Sequence, residues 1–320
     1  MSLTGEGYVF DRADVEESEE ISLTLRLKNQ QGVYSKEFSY HIYLDNTIPE
    51  VFISEAEGSE TPLGDFVNKI SFGLFGKTEY KVKVKVTETD PSGLKEWTYM
   101  VLPLKKDMVN GTDKVSDADN LTEEEITKSR LLQYIETLKD SGEYVWQPAN
   151  PSGDLTEIII DRKDTGEDFA ANHYVVLVKP YDNVKNSKIY TSLGIILDNN
   201  EPYVDLGLDY EGGQVYREVY NVDVKLHVSV TDNNHPADKT VSGLREIYYQ
   251  VAVGRENLEK AERVSLYNAE KGKKYTLEEL QNEVLQKNIT ISKKWNSNDI
   301  WVGVTAVDNS GNEYQAFQHL

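Results

Sequence analysis

The chain has 320 residues, with 34 Lys or Arg against 55 Asp or Glu, so its formal net charge is −21. This length predicts two or three domains and excludes a single small one, and the negative field predicts that nucleic acid is not a partner. The absence of Cys excludes disulfides, thiolate metal sites and a cysteine nucleophile.

In chain order, the predicted elements are mainly strands. Apolar and polar residues alternate in 80–87, 222–230 and 301–307, which predicts strands with one buried face. Turns rich in Gly, Asn, Asp and Pro separate these strands, and this favours β-sandwiches over parallel α/β sheets. The longest apolar runs, such as 174–178 and 193–197, have about five residues, far fewer than the roughly 20 that cross a bilayer.

Two short helices are predicted as insertions between the strands. Thr122-Glu123-Glu124-Glu125 is a capping-box pattern, and apolar residues follow it at near-helical spacing as far as Leu138. Thr276-Leu277-Glu278-Glu279 opens the second helix, in which Leu277, Leu280 and Val284 form an i, i+3, i+7 stripe. The two helices occupy corresponding places, which indicates one ancestral unit.

A junction motif and a turn motif each recur along the chain. Residues 44–49 match residues 197–202, 153 positions later. The shared junction residues are Asp45, Asn46 and Pro49 in the first copy and Asp198, Asn199 and Pro202 in the second. A polar turn begins 16 residues before each junction, at Asn29 and Asp182, and a third such turn begins at Asp308.

These repeats predict three units. Residues 1–47, with Tyr8 to Asp14 resembling a strand of the later units, are expected to be the C-terminal strands of a truncated unit. Residues 48–200 and 201–320 are expected to be complete units, each with a helical insertion, and the whole is expected to be a fragment of a larger protein. Strands in 8–48 cannot close a sandwich alone, so we expect them to pack on the next unit.

The repeated motifs resemble the bacterial immunoglobulin-like repeats of large surface and secreted proteins. In that family a D-x-x-G-N turn leads to the final strand, and a junction of the D-N-T-x-P type starts the next domain. Residues 308–312 and 45–49 fit this pattern, whereas Asn29 replaces Asp and Lys185 replaces Gly in the other turns. The resemblance implies a mainly β fold of tandem immunoglobulin-like sandwiches, a location outside the cell or on its surface, and a spacer or adhesive role.

Catalytic constellations are not evident in the sequence, and we predict that the chain is not an enzyme. Its histidines are scattered without an HExxH motif, and neither Gly-x-Ser-x-Gly nor a P-loop occurs. The expected partner is a host or bacterial surface protein or a glycan, bound through loops or a sheet edge. The alternative is a carbohydrate-binding accessory region of a secreted glycoside hydrolase, which would use exposed indole rings among Trp97, Trp146, Trp295 and Trp301. Trp97 and Trp301 lie in strand patterns, which favours core positions for both.

Calcium is the one cofactor that the composition of the loops suggests. Several oxygen-bearing residues lie in loops that a sandwich gathers at its ends, where hard cations find their ligands. The calcium candidates are Asp182, Asn183, Asp308 and Asn309, with Asp90 and Asp232 in similar loops. Turn capping explains the same residues without a metal, so we predict no cofactor and no essential metal ion.

Overall fold

The structure is a computed structural model. It describes residues 19–54, 71–106, 145–149, 156–163, 169–209, 215–216, 219–220, 222–233, 240–295 and 297–320. The predicted helix that begins at Thr122 and the strand-like segment 8–14 lie outside the described residues.

Strands make up most of the described chain. In chain order they are β1 (Glu19–Leu25), β2 (Phe38–Leu44), β3 (Glu50–Ser54), β4 (Phe72–Gly76), β5 (Glu79–Thr87), β6 (Leu94–Lys105), β7 (Gln147–Pro148), β8 (Thr156–Asp161), β9 (Phe169–Asp182), β10 (Tyr190–Thr191), β11 (Gly194–Leu197), β12 (Tyr203–Asp209), β13 (Val215–Tyr216), β14 (Val219–Tyr220), β15 (Val224–Thr231), β16 (Leu244–Val253), β17 (Val264–Asn268), β18 (Val284–Ile291), β19 (Ile300–Asp308) and β20 (Glu313–His319). The prediction of a mainly β fold built of sandwiches is confirmed.

The first sandwich contains the strands from β3 to β11. One sheet has the order β3-β5-β8, and the other has the order β4-β11-β9-β6-β7, with β10 paired to β9. Strand β5 alternates exposed and buried side chains, as its sequence predicted. Its buried residues pack between the two sheets against Trp97, Ile158 and Ile160, which explains the apolar periodicity of this strand.

The second sandwich contains the strands from β12 to β20. Its larger sheets have the orders β12-β15-β18 and β17-β16-β19-β20, and their facing side chains form one core. Strand β15 alternates as predicted, but β19 is buried at nearly every position. Leu258, in the 3-10 helix Arg255–Lys260, lies against Gly303 and is buried, so the second face of β19 is covered as well. The unit boundaries at 47/48 and 200/201 stay predictions.

The hairpin of β1 and β2 stands apart from both sandwiches. Among the described strands, these two pair only with each other, and Phe38, Tyr40 and Tyr43 are 53%, 58% and 49% exposed. The expectation that the opening strands pack on the next unit is therefore wrong for the described hairpin. One face of the hairpin is apolar because Phe38 and Tyr40 lie opposite Leu25 and Leu23, and that face has no sheet packed over it in the described part of the chain.

One helix of the second sandwich begins where the capping box predicted it. Helix α1 spans Leu277–Gln281, and the Thr276 hydroxyl accepts from the Glu279 amide at 3.3 Å while a Glu279 carboxylate oxygen accepts from the Thr276 amide at 2.7 Å. Leu277 and Leu280 are buried as predicted. Val284 is not on the helix, because it begins β18 and is 55% exposed.

Helix α1 packs on the first sandwich and thereby joins the two. The outer face of the sheet that contains β9 is apolar, and residues of the second sandwich cover it. The buried members of this cluster are Phe72, Met100, Leu102, Leu104, Val175, Leu177 and Ile196 from the first sandwich and Val241, Tyr275, Leu277 and Leu280 from the second. We call this group the joint cluster. The backbones of Phe72 and Tyr275 also exchange two hydrogen bonds, each 2.8 Å long.

Candidate functional site

The repeated turns have the same internal hydrogen bonds. In the turn at Asp308, the Asn312 amide N–H donates to Asp308 Oδ1 at 2.7 Å, and the Asn312 side-chain amide donates to Asp308 Oδ2 at 2.7 Å. In the turn at Asp182, Asn186 makes the same two bonds to Asp182, at 2.6 and 2.7 Å. Each aspartate therefore holds the end of its strand to the start of the next segment.

The turn at Asn29 repeats this geometry with other residue types. The Val33 amide donates to Asn29 Oδ1 at 2.9 Å, so Asn takes the place of Asp as the acceptor. The fourth position of each turn is left-handed: φ is 83° at Gly32, 74° at Lys185 and 87° at Gly311. Lys185 therefore adopts the conformation that Gly provides in the other two turns.

The turns also fasten the junction motifs. Asn312 Nδ2 donates to the carbonyl oxygen of Asp198 at 2.9 Å, and Asn186 Nδ2 donates to that of Asp45 at 3.1 Å. The Asp198 amide donates to the carbonyl of Gly76, in β4, at 2.8 Å. The backbone of Asp198 is thus held by both sandwiches.

The remaining junction residues complete the joints. Pro49 and Pro202 are buried, and the Tyr190 hydroxyl donates to the carbonyl oxygen of Pro49 at 3.2 Å. Asn199 accepts a hydrogen bond from Arg162, while Asn46 is exposed. Each proline starts the path into a strand, where its missing N–H costs no ladder hydrogen bond.

Three aspartates meet at the second junction. Asp198 follows β11, Asp232 follows β15 and Asp308 ends β19. One carboxylate oxygen from each lies within 4.8 Å of those from the other two. Their side chains are deeply buried, with exposures of 0%, 2% and 0% respectively, and we call this group the aspartate cluster.

Backbone amides donate to the carboxylates of the cluster, but one of the carboxylate oxygens receives no hydrogen bond from the described residues. The Ser242 amide donates to Asp198 Oδ2 at 2.9 Å and to Asp232 Oδ2 at 3.0 Å, and the Gly243 amide donates to Asp232 Oδ2 at 2.6 Å. Asp232 Oδ1 is buried and has no hydrogen-bond partner in the part of the chain that the structure describes. This orphaned oxygen is unusual, since most buried polar atoms are paired.

The electrostatics of the cluster favour bound protons or a bound cation. Burial, with repulsion from Asp308 and Asp198, raises the pKa of Asp232 to about 8. Burial also raises the pKa of Asp308 to about 7, with repulsion from Asp198 opposing the hydrogen bonds from Asn312. Chemically, the site offers hard oxygen ligands and negative charge, and it has no thiolate or imidazole ligand within the described chain.

Only part of the predicted calcium set belongs to this cluster. Asp308 and Asp232 do, but Asp182 lies at the first junction, in the turn that fastens Asp45. Asn309 Nδ2 donates to the carbonyl oxygens of Ser242 and Gly243 at 2.9 and 3.2 Å. Asn183 Nδ2 binds two carbonyl oxygens of the loop before β6 in the same way. Both asparagine side chains therefore hold their turn against a neighbouring loop, and this role explains them without a metal ion.

The first junction is built differently from the second. Glu88 follows β5 as Asp232 follows β15, but Glu88 Oε1 accepts from the Asp90 amide of its own loop at 2.9 Å. Thr47 Oγ1 lies 2.7 Å from Asp45 Oδ1 and is also in hydrogen-bond contact with Asp90. Burial raises the pKa of Glu88. A threonine hydroxyl thus stands among these carboxylates, where the second junction has Asn200.

Trp97 is a core residue, as predicted, and is 1% exposed. Trp146 is partly buried against the joint cluster, Trp295 is 41% exposed, and Trp301 is half-buried with the guanidinium of Arg255 at 5.5 Å from its ring centre. Of the four indoles, only Trp295 is largely exposed, so this arrangement does not favour a broad stacking surface for sugars.

The histidines that the structure describes are spread over four sheets. His41 lies on β2, His173 on β9, His227 on β15 and His319 on β20, and His235 lies outside the described residues. Sequence reasoning placed Asp308 and Asp232 in end loops but missed the carboxylate of Asp198 as the third member. The signal that could have found it is the repeated junction motif, which places an Asp beside the polar turn in both copies.

The comparisons with known proteins give weak likenesses. No family model and no curated protein match the chain. A solved structure of a 1.5-MDa bacterial ice-binding adhesin, described in connection with host cell surface retention, matches with 9% identity and a TM-score of 0.30, over 86% of this chain and 64% of that chain. Native alpha-2-macroglobulin of Escherichia coli matches with 10% identity and a TM-score of 0.25, over 93% of this chain and 19% of that one.

The trypsin-activated form of the same macroglobulin matches with 10% identity and a TM-score of 0.24, over 95% of this chain and 23% of that one. This chain thus spans less than two thirds of each of these structures. All three TM-scores lie below 0.5, so the likenesses assign neither a function nor a location to this chain. No helix in the described ranges is long and apolar enough to cross a membrane.

Proposed function

We propose that the chain is a non-catalytic structural segment of a bacterial surface or secreted protein, in which immunoglobulin-like sandwiches act as a spacer of fixed geometry. The observation that carries this proposal is the joint cluster, since helix α1 of the second sandwich buries apolar side chains on the outer face of the first. Hydrophobic contact between domains restricts the relative motion that is otherwise expected of them.

The path between the sandwiches also supports a fixed geometry. Only residues 198–202 separate β11 from β12. The backbone of Asp198 in this path is bonded to Gly76 on one side and to Asn312 on the other. A chain held at this point behaves as a stiff joint and not as a flexible linker.

The test compares two neighbouring valines that face opposite ways on β9. Val175 belongs to the joint cluster and Val176 to the inner core of the first sandwich, and both are fully buried. Because the chain has no native Cys, spin labels can be attached at Lys85→Cys and Lys225→Cys, which are exposed positions on different sandwiches. The distance between the labels is then measured by pulsed electron paramagnetic resonance in chelator.

We expect a narrow distribution of distances in the parent chain. Val175→Ser should broaden it, because the substitution weakens the contact between sandwiches, whereas Val176→Ser should lower stability and leave the distribution narrow. A broad distribution in the parent chain, or equal broadening by both substitutions, would contradict the proposed spacer.

A further inference from the structure

We propose that Asp198, Asp232 and Asp308 together bind one calcium ion at the junction between the two sandwiches. This inference goes beyond the spacer function and rests on different atoms, because none of the three aspartates belongs to the joint cluster.

One carboxylate oxygen of Asp232 is buried without a hydrogen-bond donor among the described residues. Asp232 is 2% exposed, and its Oδ2 accepts from two backbone amides, while its Oδ1 has no hydrogen-bond partner among the described residues. A carboxylate oxygen buried without a donor loses hydration and gains nothing in return. A cation between this carboxylate and the other two would supply the missing interaction.

The aspartate cluster also concentrates negative charge in the protein interior. Neither Asp232 nor Asp308 forms an ion pair with Lys, Arg or His in the part of the chain that the structure describes. Three carboxylates that approach within 4.8 Å in the protein interior repel one another strongly when ionised. A divalent cation bound between the three carboxylates would attract each of them and so offset this repulsion.

A site made of protein carboxylates suits calcium better than magnesium, because magnesium demands near-ideal octahedral geometry and gives up its water reluctantly. Calcium binds oxygens at 2.3–2.6 Å, so two of its ligands can lie up to about 5.2 Å apart, whereas magnesium at 2.0–2.1 Å limits that separation to about 4.2 Å. The three oxygens lie within 4.8 Å of one another, so one calcium ion can reach all of them. Among the described residues the charged ligands are all carboxylates, which suit a hard cation such as calcium better than they suit zinc or copper.

The three ligands come from separate parts of the junction. Asp198 lies in the connection after β11, and its amide is bonded to the first sandwich at Gly76. Asp232 and Asp308 close β15 and β19 of the second sandwich. A calcium ion here would therefore join the connection to the two sheets of the second sandwich and stiffen the joint.

The test is calcium binding by the full chain after treatment with chelator. Titration calorimetry should show that the parent chain binds one more equivalent of calcium than Asp232→Asn does, with a Kd between about 10⁻⁶ and 10⁻³ M. Saturating calcium should raise the melting temperature of the parent chain by roughly 5 °C, and Asp232→Asn should lose most of this shift. Magnesium at the same concentration should give a smaller shift.

The matched control is Asp205→Asn, which makes the same change at an exposed position on β12 and should bind calcium as the parent chain does. Asp308→Asn, verified as folded by circular dichroism, should also lose one equivalent. The proposal is overturned if the parent chain and both cluster variants bind the same number of ions, or if calcium leaves the melting temperature of the parent chain unchanged. Either result leaves the label-distance test of the spacer unaffected, because that test is made in chelator.

Discussion

At the scale of single residues, the aspartate cluster makes stability depend on pH in an unusual direction. Most carboxylates in proteins have a lowered pKa and stabilise the fold at neutral pH. Here burial raises the pKa of Asp232 to about 8 and that of Asp308 to about 7, because the ionised forms are desolvated and repel each other. In the absence of a cation, the folded chain binds more protons than the unfolded chain between about pH 4 and pH 8.

The stability of the chelator-treated chain is therefore expected to rise as the pH falls from 8 to 5. The contribution of a raised pKa is fully present below the unfolded value, near 4, and is lost as the pH rises through the folded values. Urea unfolding at pH 5, 6.5 and 8 should show that the free energy of unfolding is higher at pH 5 than at pH 8 by an amount on the order of 2 kcal/mol. Asp232→Asn should flatten this dependence, and exposed Asp205→Asn should not. If the stability of the parent chain rises between pH 5 and pH 8 instead, repulsion between the ionised carboxylates of the cluster does not destabilise the fold.

The two versions of the aspartate turn allow a reciprocal test of backbone strain. Lys185 has φ of 74° and Gly311 has φ of 87° at the same position of the turn. A side chain in this region costs about 1 kcal/mol. Lys185→Gly should therefore raise the free energy of unfolding by about 1 kcal/mol, and Gly311→Ala should lower it by about as much. Chemical denaturation measures both, and changes of the same sign would refute the equivalence of the turns.

At the scale of elements, the sequence predicted strands and turns better than it predicted which faces are buried. Alternation in β5 and β15 placed one face of each strand correctly. The run from Tyr174 to Val178 is continuously apolar because its alternate side chains enter the inner core and the joint cluster. Runs of this kind are typical of strands covered on both sides, but nothing local in the sequence says what covers the second face.

For helix α1, the sequence predicted the start correctly but not the end. Its start was predictable, because the capping box at Thr276 is a local hydrogen-bond pattern. Its end was not, since the apolar spacing continues to Val284, yet that residue pairs with Thr231 at the edge of a sheet. Pairing with a strand more than 50 positions earlier places Val284 in a strand and not in the helix. Tertiary contacts of this kind override helical periodicity.

The aspartate cluster was predictable only in part for a related reason. Turn patterns placed Asp232 and Asp308 at strand ends, where loops of a sandwich gather. Asp198 comes from the neighbouring connection, more than 100 positions before Asp308. The folding of two separate sheets, and not any local pattern, brings the three carboxylates together.

At the scale of the whole molecule, the apolar contact between the sandwiches restricts their relative motion. A linker sequence alone would not restrict it. Each sandwich has its own core, and the joint cluster is a third apolar region that neither sandwich forms alone. Its members come from four strands of the first sandwich and, in the second, from Val241 and the segment around α1. Unfolding of either sandwich exposes this region, so the stabilities of the two are coupled.

This coupling predicts a contrast between two residues of one short segment. Leu280 is fully buried in the joint cluster, whereas Val284, four positions later, is 55% exposed. Leu280→Asp should weaken the contact by roughly 3–5 kcal/mol, because a charged group cannot remain in an apolar interface. In scanning calorimetry in chelator, the parent chain should unfold in one transition and Leu280→Asp in two, as each sandwich melts alone. Val284→Asp should keep one transition with a nearly unchanged midpoint; two transitions in the parent chain would mean that the sandwiches are independent.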